Sequence, residues 1–307
     1  MAKIGIALGS GSAKGWAHIG VLKALAELGV KPDVVAGCSV GAFVGAAYAT
    51  DNLAELEQWV NGFSSWDLVS MLDISLRRGG LMSGEKVFEQ AKSMIGDINV
   101  EDLELPFIAV ATDLYGGNEV WLKRGCLQDV VRASCAIPGL LAPVRLGERY
   151  FIDGAVVNPI PINVCRALGA DVVIAVDLYG YPEVVTDSHP VMRSAENSLK
   201  SDNERSHFNH LINQSRDYFN DFTQRFVRSN RSELNMFAVM TSALEILEYR
   251  QKKSRLAGDP PEVLIQPQVA HIGSMEFNRA PESILAGEQA VYKIKHLIES
   301  ELVRIGR

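Results

Sequence analysis

Short apolar runs alternate with longer amphipathic ones through the first half of the chain. KIGIAL (3–8) reads as a buried strand. GWAHIGVLKALAEL (15–28) reads as a helix, because Ile19, Leu22, Leu25 and Ala26 fall on one face at helical spacing. Gly29 stops that helix, Pro32 and Asp33 form a turn, and VVAGC (34–38) is a second strand. A helix follows from Val40 to about Thr50, and LAELEQWVNGF (53–63) is another. FIAVATDL (107–114) and DVVIAVDL (171–178) are continuous apolar runs of the kind that form strands covered on both faces. This strand–helix–strand alternation predicts an α/β fold with a largely parallel central sheet.

After about Gly180 the pattern changes. Residues 187–235 are polar and poor in glycine, yet Phe208, Leu211, Ile212, Ser215, Phe219, Phe222 and Phe226 recur at helical spacing. That predicts a helix with one aromatic side, suited to packing on the main domain or a second subunit, or to touching a membrane or covering a pocket. GDPP (258–261) breaks the chain, EVLIQP (262–267) reads as a last strand, and ESILAGEQAVYKIKHLIESEL (282–302) as a closing helix. The sequence contains no internal repeat.

Composition narrows the function classes. The 307 residues are 47% hydrophobic and 22% charged, ample for one large globular domain or two ordinary ones. A net charge of −7 argues against a nucleic-acid partner, whose phosphates call for a basic surface. The N-terminal apolar stretch is too short and too broken by glycine for a secretory signal. No stretch reaches the roughly 18 apolar residues of a membrane span. Cys38, Cys126, Cys135 and Cys165 show no metal-ligand spacing and sit in apolar contexts, as expected of reduced thiols in a cytoplasmic protein.

Three stretches carry candidate chemistry. Gly37–Cys38–Ser39–Val40–Gly41 is G-x-S-x-G between a strand and a helix, the setting of a nucleophile elbow or of an ordinary strand-to-helix turn. In an elbow the hydroxyl stands at a helix N-terminus, where partial positive charge favours developing negative charge. Gly9–Ser10–Gly11–Ser12–Ala13–Lys14–Gly15 follows the first strand. A dinucleotide site would need an acidic residue at the end of the second strand, and Cys38–Ser39 stand there instead. The other use of such a loop is an oxyanion hole of backbone N–H groups. Third, RYFIDGAVVNPIP (149–161) places Asp153 after an apolar strand and before Gly154–Ala155, either as a turn residue or as a reactive carboxylate at a sheet edge. CAIPGLLAPV (135–144) is apolar and turn-rich, fit for an acyl pocket or for core packing. Among six histidines, His18 reads as a packed helix residue, while His207 or His210 could complete a His-dependent α/β-hydrolase triad.

IALGSGSAKGWAHIGVLKAL, VAGCSVGAFVGAAYA, VRASCAIPGLLAPV and FIDGAVVNPIP resemble, in this order, the blocks of the patatin-like phospholipase family, nearest to its bacterial cytoplasmic members of the RssA type. The resemblance covers residues 4–166 as a catalytic core. It implies a three-layer sandwich that residues 167–307 complete, with a polar helical insertion at about 187–257. It further implies a serine acyl hydrolase of the phospholipase A or esterase type. Ser39 would be the nucleophile and Asp153 its base, in a dyad without histidine. Gly11, Ser12, Lys14 and Gly15 would form the oxyanion hole, Gly37 and Gly41 the elbow, and Gly154 and Ala155 the remainder of the aspartate motif. The family's loop is commonly a run of glycines, which Ser10 and Ser12 interrupt here. The expected substrate is an acyl ester or phospholipid, with no cofactor, metal or nucleic acid. Calcium is not expected, because no Asp/Asn-rich coordinating loop is apparent. Room is left for peripheral membrane contact and for a homo-oligomer. The alternative from another class is a non-enzymatic regulator that binds an acyl ligand or a protein partner.

Overall fold

The computed structural model describes residues 2–63, 80–82, 88, 94–178 and 236–307. Chain contacts divide the protein into two compact units, residues 1–188 with 248–307, and residues 189–247. In chain order the described elements are β1 (Ile4–Leu8), α1 (Ala17–Glu27), β2 (Val34–Cys38), α2 (Val40–Ala49), α3 (Leu53–Asn61), β3 (Gly80–Met82), β4 (Phe107–Asp113) and β5 (Glu119–Leu122). They continue with α4 (Leu127–Ser134), β6 (Gly139–Leu141), β7 (Val144–Leu146), β8 (Arg149–Asp153), α5 (Ile162–Ala167) and β9 (Val172–Val176). The last are α6 (Met236–Gly258), β10 (Val263–Ile265), α7 (Ala280–Lys293) and α8 (Lys295–Arg304).

The main sheet runs β10-β9-β1-β2-β4-β8-β7, with β5 also paired to β4. The five strands from β10 to β4 are parallel, and β5, β8 and β7 add an antiparallel limb. The period of two along each strand sorts side chains to two faces. Ile4, Ile6, Leu8, Val35, Phe107, Ala109, Ile174 and Val176 meet the apolar sides of α1, α2, α4 and α7. Ala7, Val34, Ala36, Ile108, Val110, Val173 and Ala175 meet Ile162, Val164 and Cys165 of α5. Covering both faces removes the strand backbones from water and explains the unbroken apolar runs. The fold is thus mixed α/β with a mostly parallel central sheet.

Two local expectations shift. The first helix, expected from residue 15, begins as a tight 3-10 turn over Ser12–Trp16 and becomes α-helical only at Ala17. The closing helix is two helices, because Ile294 (φ −114°, ψ 19°) leaves helical geometry between them. No glycine or proline marks that break, so periodicity alone runs through it. The aromatic positions Phe208–Phe226 lie outside the described residues.

Candidate active site

β2 passes into α2 through a single residue, Ser39, whose φ of 56° and ψ of −127° are strained for a side chain with a Cβ. The corner is also seated tightly on β1. A Cβ on Gly41 would lie 2.2 Å from the Leu8 carbonyl oxygen, so α2 starts in van der Waals contact with the backbone of β1. The Ser39 N–H donates to Ser134 Oγ at 3.0 Å, and Ser134 Oγ donates in turn to the Val110 carbonyl at 2.6 Å. Ser39 is therefore fixed through its backbone while its hydroxyl remains available.

Asp153 reaches that hydroxyl by a route that depends on sheet topology. A strand has two edges. Residues 109 and 110 of β4 pair with both β2 and β5, and residues 111 and 112 pair with both β5 and β8. β2 and β8 must therefore share the edge opposite β5, meeting end to end at their C-termini. Cys38 faces Val110 and Asp153 faces Ala111, the next position along. A Cβ on Gly154 would lie 3.1 Å from Cys38 Sγ, which is how closely the two strand ends abut. Asp153 thus stands at the C-terminal end of an antiparallel strand, where it also caps the turn that follows.

At this junction Ser39 Oγ donates to Asp153 Oδ2 at 2.6 Å. Asp153 Oδ1 accepts the Ala155 N–H at 2.8 Å, its N–H donates to the Ala136 carbonyl at 2.9 Å, and Thr112 Oγ1 donates to its carbonyl at 2.8 Å. Both side chains are buried, Ser39 at 5% and Asp153 at 3% exposure. Burial raises the carboxyl to about 6, against the lowering effect of its bonds to Ser39 and Ala155.

The glycine–serine loop wraps against the same corner. A Cβ on Gly15 would sit 2.1 Å from Val40 Cγ1, so only glycine admits this approach. The loop is fastened on several sides. His18 Nε2 meets the Gly9 carbonyl at 2.7 Å, the Ser10 N–H donates to the Pro159 carbonyl at 2.9 Å, and Ser12 Oγ donates to the Ser274 carbonyl at 2.6 Å. The Ser283 hydroxyl donates to the Lys14 carbonyl at 2.8 Å. The Lys14 N–H is taken by the Gly11 carbonyl at 3.1 Å. Ser12, like Ser39, has a positive φ, 52°. Among the described residues, the N–H groups of Gly11, Ser12 and Val40 have no hydrogen-bond partner.

A match to the model of the patatin-like phospholipase family extends over residues 6–166, and so takes in Ser39, Asp153 and the loop. The chain belongs to the patatin-like phospholipase family. An uncharacterized NTE family protein of Mycobacterium tuberculosis is 31% identical over 320 residues, spanning 93% of this chain and 89% of that protein. Patatin-like phospholipase domain-containing protein 6 of Homo sapiens is 35% identical over 182 residues, 57% of this chain but only 13% of that protein. The crystal structure of VipD from Legionella pneumophila aligns over 97% of this chain and 67% of that chain, with a TM-score of 0.47 and 13% identity.

The rest of the site of this patatin-like family member falls into place around the pair. CAIPGLLAPV borders it, since Ala136 accepts the Asp153 N–H, and Gly139–Leu141 forms β6. His18 is buried and neutral near pH 7, because burial lowers it to about 4, and its Nε2 bond goes to the loop. His189, His207 and His210 lie outside the described residues. Among the described residues, no histidine bonds to Ser39 or Asp153 and no cluster suits a metal ion. No described helix is long and apolar enough to cross a membrane. Sequence reasoning missed Ser134, Thr112 and Ser274, each an ordinary polar residue that becomes a fastener only through contacts distant in the chain.

Proposed function

We propose that the protein is a serine acyl hydrolase that cleaves acyl esters of the phospholipid type through Ser39 and Asp153. The observation that carries this reading is the 2.6 Å bond from the Ser39 hydroxyl to Asp153 Oδ2 at a strained, glycine-flanked corner. Asp153 Oδ2 takes the Ser39 proton as Oγ attacks the ester carbonyl, and the carbonyl oxygen gains negative charge. The Gly11, Ser12 and Val40 N–H groups and the N-terminus of α2 meet that charge. The intermediate collapses to an acyl-Ser39, and Asp153 passes the proton to the departing alcohol. Water then gives its proton to Asp153 and attacks the acyl carbon, and the proton returns to Ser39 as the acid leaves.

A carboxyl at about 6 is suited to this work. It is mostly ionised at pH 7, yet far more basic than an exposed aspartate near 3.9. The Ala155 N–H holds its other oxygen and fixes the orientation of the base.

The test is turnover of p-nitrophenyl esters, then phospholipids, by wild type, Ser39→Ala and Asp153→Asn, with circular dichroism on each. The expected losses in kcat are on the order of 10⁶-fold for Ser39→Ala and 10⁴-fold for Asp153→Asn. Turnover that survives in a folded Ser39→Ala variant would refute the assignment.

A further inference from the structure

The second half of α6 brings three charged side chains to one helical face at i, i+4 and i+7, namely Glu248, Lys252 and Arg255. Each fastens a different segment beside the candidate site. Glu248 accepts the Ser10 hydroxyl through a short hydrogen bond. Lys252 Nζ donates to Asp177 Oδ1 at 3.0 Å, just beyond β9, in a pair exposed by only 4% and 2%. Arg255 Nε donates to the Val157 carbonyl at 2.9 Å, a short way past Asp153, and its guanidinium also pairs with Glu119.

Of these contacts the one at Ser10 bears on the chemistry. Ser10 immediately precedes Gly11 and Ser12, whose N–H groups are open. Its own N–H is tied to Pro159, beyond the aspartate motif. With the hydroxyl held as well, both donors of Ser10 are committed, and the peptide that follows can point in few directions. An acid at position 248 is costly there. Burial raises its carboxyl to about 7, the charge of Asp153 adds to the rise, and the Ser10 bond, Lys252 and Lys14 oppose it. A group that only filled space would not need a carboxyl beside a second acid.

We propose that Glu248 is a positioning residue of the oxyanion loop: by accepting the Ser10 hydroxyl it holds the loop in the conformation that aims the Gly11 and Ser12 N–H groups at the reacting carbonyl. The part of this assignment that concerns the carbonyl rests on the acyl-hydrolase reading above; the part that concerns the loop does not. It also accounts for Ser10, which interrupts the glycine run in order to carry the hydroxyl that Glu248 binds.

The experiment combines peptide-level hydrogen exchange with ester kinetics on the full chain, comparing wild type with Glu248→Ala, Glu248→Gln, Ser10→Ala and the Glu248→Ala/Ser10→Ala double variant. Exchange in the peptide spanning Gly9–Gly15 is expected to quicken about tenfold in both alanine variants. In Glu248→Gln, whose amide oxygen still accepts the hydroxyl, exchange should return toward wild type. On p-nitrophenyl esters kcat should fall by on the order of 10²-fold in each alanine variant while KM changes by less than about twofold. The double variant should fall no further than the worse single one, since both changes break one bond. Unchanged exchange in folded Ser10→Ala or Glu248→Ala overturns the proposal, whether or not the protein turns over esters. Strictly additive kinetic losses also overturn it. Wild type silent on every ester would instead refute the hydrolase reading, and the exchange arm would still decide whether Glu248 positions the loop.

Discussion

The two halves of the Ser39–Asp153 pair are built in opposite ways. The β2–α2 corner makes its residue special through local chain geometry: Ser39 has φ 56°, glycines flank it, and a helix starts directly behind it. The end of β8 is locally ordinary, with Asp153 at φ −48° and ψ 136°. Asp153 owes its character to its surroundings, because burial raises its carboxyl to about 6. The strained geometry of Ser39 is thus a property of a turn, and the raised carboxyl of Asp153 a property of a place in the sheet. Backbone strain at one residue and desolvation at the other are both costs, carried by the packed sheet around them.

The contrast can be broken most severely at its steric foundation. Gly41→Ala puts a Cβ 2.2 Å from the Leu8 carbonyl, which flexible side chains cannot relieve. A loss of about 3 kcal/mol or more in urea unfolding is expected. A variant as stable as wild type would mean the corner is not tightly seated. The next largest effect lies in pH. Below about pH 6 Asp153 is protonated and cannot accept the Ser39 proton, so kcat/KM should fall about tenfold per pH unit there. An acid limb near 4 would show that burial does not set the base.

Stability sharpens the comparison further. The folded-state pKa of Asp153, about 6, lies above the ordinary 3.8, so the folded protein loses stability as pH rises through that interval. Asp153→Asn should therefore match wild type below about pH 4 and gain on it between 4 and 6. At pH 8 it should be more stable by about 1–3 kcal/mol. Ser39→Gly tests the other half. Relief of the strained backbone should stabilise the fold by about 1 kcal/mol below about pH 6, where Asp153 is protonated, and by less above it, where the bond from the hydroxyl to the ionised carboxylate is lost; activity is abolished throughout. If Ser39→Gly gains nothing below about pH 6, or the Asp153→Asn gain does not depend on pH, the two costs have been assigned to the wrong residues.

How much of this was legible beforehand follows the same division. Ser39 could be read from seven or eight neighbouring residues, because a β-branched run, two glycines and a helix-forming run lie in direct succession. The resemblance to a known family named Asp153. Its meeting with Ser39, across 114 residues, depends on β2 and β8 sharing one edge of β4. Nothing in periodicity sets that. The loop stands between these cases: its glycines were visible, but its fasteners come from Pro159, Ser274 and Ser283. Lys14 was expected among the oxyanion donors, yet its N–H closes a turn onto Gly11. The break at Ile294 carried no signal in glycine or proline.

The sequence by itself determined the alternation of buried strands and amphipathic helices, the parallel sheet that follows from it, and the glycine-flanked strand-to-helix corner at Ser39. These are short-range consequences of side-chain period, β-branching and the conformational limits of residues other than glycine. Only the tertiary structure decided which carboxylate meets the serine, how strongly its proton is held, which loop N–H groups remain open, and that Glu248 reaches Ser10 across 238 residues. Those outcomes depend on strand order and on burial. Both are properties of the whole packed chain, because desolvation and close approach exist only after distant segments have come together.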